Sequence, residues 1–442
     1  MKKYICLTLI CILLLPLTHC GQNDGGDGDG RIHIYTWDEP KDDPEGKITR
    51  VLQEEFDRTH PDIVVHRSAV PMHKDTRISF VSAMVGGRGP DCYNQAYFSF
   101  IYLLIKLNMC LPMNKFLEED DLMNSMKENI IKAATVDSKI YGIPDQVYVM
   151  MLVYRKDLFV EAGLDPDRPP RNWVELGQYA KILTNEKKYR YGYALLGMDW
   201  ADWHWENFVW QAEGRVTELL DDGRCAIRFN EQPGVEALQF YKDLRWKYKA
   251  IQKDPLQSWE CNLRDFVNGT AAMFMLHPGD ITFLFEMGMD PKTLGLAPLP
   301  AGPRGKRAAQ IGGGFWIINP TIPEDRQRAC WTYIRFMTSP ESIRKRWHLR
   351  KKAGLIYPDT PYWKGLDQSS LDYISDEWID YVNESIENGR MEYFLKDRIS
   401  PYLARAIQSV LVDSLADPKE ELDECAKRVN KEVIIPYNEE QR

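Results

Sequence analysis

The stretch from Asp199 to Trp210 gathers the side chains best suited to chemistry. It reads Asp-Trp-Ala-Asp-Trp-His-Trp-Glu-Asn-Phe-Val-Trp, with four Trp in the eleven residues from Trp200 onward. An indole offers a flat apolar face and one N–H donor, which suits a core, an interface or a plate under a sugar ring. Wound as a helix, the segment brings Trp203, Asn207 and Trp210 to one face and sets Asp199, Trp203 and Glu206 close together. Plates beside carboxylates can hold a saccharide, whose C–H faces stack on the rings while its hydroxyls donate to the carboxylates. The same set could cleave one, with Asp199, Asp202 or Glu206 as an acid–base pair. Trp200, Trp203 and Trp205 are expected to meet a ligand. Trp210 is expected in the core, because Phe208-Val209-Trp210-Gln211 reads as a buried continuation of the helix.

Other chemistries leave no trace. The sequence has no HExxH, no G-x-S-x-G and no Walker A motif. His60, His66 and His73 fall on a helix end, a strand and a loop, which does not read as a metal site. Gly312-Gly313-Gly314 is not followed by Lys-Ser/Thr and is no phosphate loop. No cofactor and no metal are expected. The net charge of −9 excludes an overall basic footprint for nucleic acid. With 44% hydrophobic and 27% charged residues, the 442-residue chain is an ordinary globular one. At ~150 residues per domain it has two or three domains.

The elements that would position these groups alternate. Ile32 and Ile34 mark a strand, broken at Trp37-Asp38-Glu39-Pro40. Ile48, Val51, Leu52 and Phe56 recur at helical spacing. Ile63-Val64-Val65 starts a second strand, and Ile78, Val81 and Val85 mark a second helix, which ends at Gly86 to Pro90. This order predicts a mainly parallel α/β sheet, with ligand beyond the strand ends, where Trp37 and the Asp91–Gln95 loop lie. Further on, Asn172 is a plausible N-cap for a helix carrying Trp173, Leu176 and Ala180. From about Asp372 the tail is helical. Ile399, Leu403, Ala406, Ile407, Val410 and Leu411 form one apolar stripe, starting after Ser400-Pro401, and Leu422, Ala426 and Val429 form another.

Several stretches, in order, carry a family resemblance. They are Phe56-Asp57-Arg58-Thr59-His60-Pro61-Asp62, Gly87-Arg88-Gly89-Pro90-Asp91 and Tyr141-Gly142-Ile143-Pro144. Next comes the block Tyr154-Arg155-Lys156-Asp157-Leu158-Phe159-Val160-Glu161-Ala162-Gly163-Leu164, with Pro169-Pro170-Arg171-Asn172-Trp173 behind it. Phe266 to Met273, Ala297-Pro298-Leu299-Pro300, Gly312-Gly313-Gly314 and Phe336-Met337-Thr338-Ser339-Pro340-Glu341 complete the set. Together they resemble the family 1 extracellular solute-binding proteins, the sugar-binding receptors of ATP-binding cassette importers. The resemblance implies two α/β lobes joined by strands crossing a hinge near Tyr148–Leu152, Gly312–Phe315 and Gly354–Tyr357, with ligand in the cleft between them. The expected N-terminal lobe is 31–148 plus 315–354, and the C-terminal lobe 149–314 plus 355–442. Expected ligand contacts, beyond the Trp segment, are Trp37, Asp38, Asp91, Tyr93, Asn94, Gln146, Asp280, Gly313, Phe315, Trp316 and Trp363. The glycines would let backbone approach the ligand. The implied partners are a small carbohydrate and permease subunits, and the receptor is expected to be a monomer with no catalytic residue. A secreted glycoside hydrolase or lyase, or a glycan-capture lipoprotein without a transporter, are the alternatives.

The N-terminus points to export. Lys2 and Lys3 precede an apolar run from Ile5 to Leu17, too short for a spanning helix of ~20 residues. Leu17-Thr18-His19-Cys20 resembles a bacterial lipobox, departing from it at His19. Residues 1–20 are therefore read as a lipoprotein signal ending at Cys20, and the Gly/Asp-rich residues 21–30 as a flexible tether. The body would sit in the periplasm or at the cell surface, lipid-anchored to a membrane. Six further cysteines, Cys92, Cys110, Cys225, Cys261, Cys330 and Cys425, allow 15 pairings, and isolated buried thiols are expected for several. If Cys20 carries lipid, Cys20→Ser releases the protein from membrane fractions and shifts its mature mass. Unchanged membrane association with unchanged mass would contradict the assignment.

Overall fold

A computed structural model describes residues 29–69, 76–198 and 200–440. Cys20, most of the tether and Asp199 lie outside the described residues.

Two sheets organise the chain. The first contains β1 (Ile32–Thr36), β2 (Ile63–Arg67), β3 (Cys92–Tyr97) and β4 (Ile143–Val149). The second is built from β5 (Met151–Arg155), β6 (Met273–Leu276) and β7 (Leu294–Ala297). The chain returns to the first through β8 (Ala309–Ile318) and the two-residue β9 (Gly389–Arg390). The order in the first sheet is β9-β8-β3-β1-β2, with β4 also paired to β8. β1 runs parallel to β2, with Ile32 opposite Ile63. It also runs parallel to β3. β8 is antiparallel to both β3 and β4. In the second sheet β5 is the centre, antiparallel to β6 and β7. Only Met150 separates β4 from β5, so the chain passes from one sheet to the other within a single residue.

Helices cover both sheets, and their ends are written in the sequence. α1 (Pro44–Thr59) starts with Asp43, whose carboxylate accepts from Gly46 N at 2.7 Å, and Pro44 fills the first turn. It buries Ile48, Leu52 and Phe56, one stripe at a spacing of four. α2 (Thr76–Val85) follows β2. α3 (Trp173–Leu183) is capped by Asn172, whose Oδ1 accepts from Glu175 N at 2.9 Å, and it buries Trp173, Leu176 and Ala180. α4 (Ala201–Gln211) carries the Trp-rich segment. α5 (Glu324–Thr338) and α6 (Pro340–Ala353) return to the first sheet. α7 (Lys396–Val412) buries every residue of its expected stripe. It starts one turn earlier than Ser400-Pro401, at Leu395, whose φ is +61°, and holds Pro401 inside the helix. As the sixth residue of the helix, Pro401 lacks the N–H that would bond to Asp397 O.

Segment 355–364 bonds to the stretch Ser125–Lys127 and to α6. Lys127 N donates to Tyr362 O at 2.8 Å, and Lys364 N donates to Ser125 O at 2.8 Å. Trp347 Nε1 donates to Asp359 Oδ2 at 2.8 Å. The six cysteines are all free thiols, buried except for the partly exposed Cys261. No helix of the described residues is long and apolar enough to cross a membrane.

β8 joins the parts. All ten of its residues are buried. At Gly313, with φ +129°, an added Cβ would lie 2.8 Å from Gln146 O. At Gly312 a Cβ would sit 2.3 Å from the Tyr148 ring, and at Gly314 2.9 Å from Asn94 O. The three glycines therefore admit the chain's own neighbours. The space expected beside Gly313 for a ligand is filled by the backbone of Gln146 and Val147.

Candidate functional site

Side chains from both sheets meet along β8. Tyr148 lies over Gly312 and the backbone of Asn94 beside Gly314. These glycines are two residues apart, about 7 Å along a strand. On the second-sheet side, Tyr148 stacks on His277, just beyond β6, with ring centroids 4.2 Å apart and planes 21° from parallel. Trp203 of α4 meets Tyr148 edge-on at 6.5 Å. The Gln310 amide, in the orientation that satisfies both partners, accepts from Trp203 Nε1 at 2.5 Å and donates to Trp203 O at 2.7 Å. Gln310 N donates to Asn207 Oδ1 at 2.7 Å. The helix and the hinge strand are thus pinned together at the aromatic group.

Carboxyl groups surround it. His277 Nε2 lies 3.1 Å from Asp280 Oδ2. Burial, with Glu392 and Asp280 nearby, pushes the Tyr148 phenol well up. Glu392 pairs with Lys396 at 3.3 Å. Burial would lower the Lys396 ammonium, but Glu392 and Asp202 outweigh it and raise it. Asp202 accepts from Tyr393 OH at 2.5 Å and from Ser400 Oγ at 2.8 Å. Burial, with Glu392 and Asp202 beside it, pushes Glu206 well above the carboxylate range and favours its neutral acid. Its Oε1 is buried without a hydrogen-bond partner, as are His277 Nδ1 and, across β8, Asn94 Oδ1. Asn94 Nδ2 donates to Asp145 Oδ2 at 3.2 Å. Burial raises Asp145, against the opposing pull of Arg346 and Asn94.

The expected contacts separate into two groups. Trp203, Asn94, Gln146 and Asp280 lie around this junction, with Gln146 exposed and the other three partly so. Trp200, 54% exposed, holds a left-handed φ of +52° at the start of α4. Trp37 is partly exposed and edges onto Phe80 and Tyr93 at 6.1 Å.

The others are built into packing. Trp205 is 0% exposed. Phe315 and Trp316 are buried in β8, with Trp316 edge-on to Tyr333 at 5.6 Å. Trp363 is buried, and its Nε1 donates to Thr338 O at 2.6 Å. Tyr93 stacks on Phe80 at 4.5 Å. Asp38 accepts from Thr36 Oγ1, from Tyr333 OH and, at 3.2 Å, from Gln53 Nε2. Asp91 accepts from Tyr35 N at 2.9 Å and pairs with Arg326. These rings have their faces covered and both carboxylates bond to neighbouring groups, although Asp91 Oδ1, Trp205 Nε1 and Trp316 Nε1 are buried without a partner, so in this conformation they serve packing.

Sequence reasoning left Tyr148 and His277 out of the chosen contacts and passed over Glu392 and Lys396. The last two carry one local signal, an i,i+4 acid–base spacing. Their closeness to Tyr148 and Glu206 is tertiary.

Two open depressions lie elsewhere. One of about 620 Å³ is lined by Glu55, His60, Arg328, Trp331 and Arg335, and one of about 730 Å³ by Lys127, Lys364 and Glu387. In the first, Arg328 already pairs with Glu119, Arg335 with Asp120 and Lys345 with Glu55. None of the buried polar atoms without a partner belongs to either lining, whereas several gather at the junction, which is the stronger candidate.

The two tryptophans of α4 should respond differently to truncation. Trp205→Ala removes a fully buried side chain and is expected to cost ~3–5 kcal/mol of folding stability, read in thermal or urea unfolding. Trp203→Ala is expected to weaken ligand binding by about ten- to thirtyfold, ~1–2 kcal/mol, with a smaller change in melting temperature. Equal loss of stability in both, with unchanged affinity, would contradict this division.

With this geometry in hand, comparison with known proteins is informative. Over 216 residues the chain is 26% identical to the sn-glycerol-3-phosphate-binding periplasmic protein UgpB of Pectobacterium atrosepticum, a match covering 47% of this chain and 45% of that protein. The chain thus spans about half the length of the curated relatives it matches. A solute-binding protein of Thermotoga lettingae, bound with α-D-tagatose, superposes with a TM-score of 0.74 at 22% identity, over 90% of this chain and 99% of that one. UgpB from Mycobacterium tuberculosis, in complex with glycerophosphocholine, gives 0.74 at 17% identity, over 92% and 99%. The maltose-bound MalE3 of Thermotoga maritima gives 0.73 at 21%, over 90% and 99%. These likenesses establish the two-lobed periplasmic-binding-protein fold. Residues 53–358, more than half of the chain, match the bacterial extracellular solute-binding proteins, and the chain belongs to that family of binding proteins, not enzymes.

Proposed function

We propose that this protein captures a small polyhydroxylated solute, a carbohydrate or sugar derivative, between its two lobes and hands it to the permease of an ATP-binding cassette importer. The observation that carries the reading is the aromatic group Trp203–Tyr148–His277 beside Asp280 and Glu392, facing the Asn94–Asp145 pair across β8. Rings supply apolar faces for C–H surfaces, and carboxylates and amides accept and donate to hydroxyls. The unpartnered atoms Asn94 Oδ1 and His277 Nδ1 are polar positions that a hydroxyl would satisfy. Trp200 and Gln146, both exposed, would join the contact on closure.

The lobe boundaries proposed with this reading follow the sheets. One lobe is built on the first sheet with α1, α2, α5, α6 and segment 355–364. The other is built on the second sheet with α3, α4, α7 and the rest of the helical tail. Bending would occur near Met150, where β4 passes into β5. Lipidation at Cys20 would hold the body near a membrane, and no cofactor takes part. The names of the relatives support a second reading, a glycerol-phosphate-type ligand.

A thermal-shift screen of the purified protein against neutral saccharides, polyols, sn-glycerol 3-phosphate and glycerophosphocholine tests the proposal, because a ligand that binds only the folded state raises the melting temperature. At least one of these is expected to stabilise the protein and to be recovered unchanged. Turnover of the stabilising saccharide, abolished by Asp202→Asn or Glu206→Gln, would overturn the binding-protein reading.

A further inference from the structure

Contacts between the two lobes also form away from the aromatic junction. Arg77, in the first turn of α2, pairs with Asp397, in the first turn of α7. Tyr102, in the helix Phe98–Lys106, meets Phe394 edge-on, with ring centroids 4.9 Å apart. Lys106, at the end of the same helix, holds its ammonium 5.7 Å from the centroid of the Tyr102 ring and 4.7 Å from that of Tyr437. Phe394 in turn meets Tyr437 edge-on at 5.4 Å. Arg77, Tyr102 and Lys106 belong with the first sheet. Their two helices flank β3 in the chain and meet through Phe80 and Phe100 at 6.1 Å, and the helix Phe98–Lys106 packs on β8. Phe394, Asp397 and Tyr437 belong with α4 and α7. Thr217 Oγ1 donates to Phe394 O at 3.0 Å and Tyr437 OH to Gly223 O at 3.0 Å, both in the hairpin 217–227 that follows α4. Tyr393 and Ser400 donate to Asp202 of α4. Leu395, between Phe394 and Asp397, keeps a left-handed φ of +61°, which a leucine holds only where its surroundings fix it.

Resting on the reading of the two lobes as a capture cleft, we infer that Arg77, Tyr102 and Lys106 on one lobe and Phe394, Asp397 and Tyr437 on the other form a clasp that holds the lobes together and sets how long a captured solute stays. Each contact between the two sets has one partner on either lobe, so all of them are lost when the lobes part. Contacts made only in the closed form stabilise it relative to the open one, whichever solute lies inside. Release requires opening, so the clasp slows release without touching the ligand. The chemistry suits a reversible fastening. Arg77 and Asp397 keep exposures of 34% and 35%, so water screens the pair and it can part without stranding a buried charge. An ammonium over two aromatic rings adds a modest attraction that tolerates small shifts of the lobes.

Small-angle X-ray scattering of the purified, ligand-free protein, together with stopped-flow release kinetics, tests the inference on Arg77→Ala, Asp397→Ala, the two combined, and Lys106→Met. Asp397 and Lys106 are exposed and Arg77 partly so, and the variants are expected to fold. Scattering of the unaltered protein is expected to fit the joined lobes of this structure, and scattering of Arg77→Ala combined with Lys106→Met to give a larger radius of gyration. Of the probes maltose, tagatose, ribitol and sn-glycerol 3-phosphate, those that bind are expected to leave Arg77→Ala about two- to fivefold faster, as befits an exposed ion pair, and Lys106→Met faster by a similar factor. Asp397→Ala should match Arg77→Ala, and the two combined should release no faster than either alone, because both remove the same pair. An unchanged radius of gyration would overturn the inference and leave the capture reading standing. So would unchanged release rates, or rates in the combined variant that multiply the two single effects. If one variant does not fold, the others decide. If none of the four probes binds, the scattering comparison decides for or against the clasp, while the capture reading falls by itself.

Discussion

The close approach of three backbones along Gly312-Gly313-Gly314 is the constraint on which the site depends. β8 is flanked by β4 on one side and β3 on the other, and it is buried along its whole length. A side chain at any of the three glycines would collide with Tyr148, with the Gln146 backbone or with the Asn94 backbone. The register of β8 against β4 shifts between Gly312 and Gly314, and Gln146 takes a φ of +49° opposite that irregularity. Irregularities of this kind re-aim side chains at functional sites. Here Tyr148 meets His277 and Trp203, while Asn94 of β3 bonds to Asp145 of β4. Met150, the next link, donates its N–H to Gln310 O at 2.9 Å, so the crossing is tied back to the same strand.

Around that strand the polar groups divide by role. Asp38 and Asp91 lie beneath the first-sheet edge; Asp38 is engaged at both oxygens, by Thr36 and by Tyr333 and Gln53, and Asp91 at Oδ2, by Arg326 and Tyr35, with its Oδ1 buried and unpartnered. Burial raises both, yet their partners satisfy the oxygens that face them. Removing such a partner leaves a buried acceptor unmet, which costs more than the bond itself contributes. Nearer Tyr148, Glu206, His277 and Asn94 likewise each keep one buried polar atom without a partner.

Much of the architecture was legible in local pattern. The Asn172 cap and the α7 stripe depend on residues within a turn or two of one another and are found as read, as are Ile48, Leu52 and Phe56 of the first helix, whose fourth expected member, Val51, faces outward. The site was legible only in part. An alternation of Trp at 200, 203, 205 and 210 fixes which residues share a helical face, but not which face meets the neighbouring lobe. Trp205 turned inward, whereas Trp203 turned toward Gln310 and Tyr148. Asp38 and Asp91 sit near strand ends, as expected of contacts, yet α5 covers them with Tyr333 and Arg326, more than two hundred residues away in the chain, and Tyr333 covers Trp316 as well. The pairing of Glu392 and Lys396 is local, but its place beside Tyr148 is set by α7 packing on α4 and has no counterpart in sequence spacing.

A crystal structure of the protein grown with whichever polyol stabilises it tests this account most directly. The predicted result is ligand density at the junction, with a sugar face on Trp203 or Tyr148 and hydroxyls within hydrogen-bond distance of Asn94, Asp280 or Glu392. Ligand density instead in the outer depression beside Trp331 and Arg328, with the junction closed and empty, would contradict it.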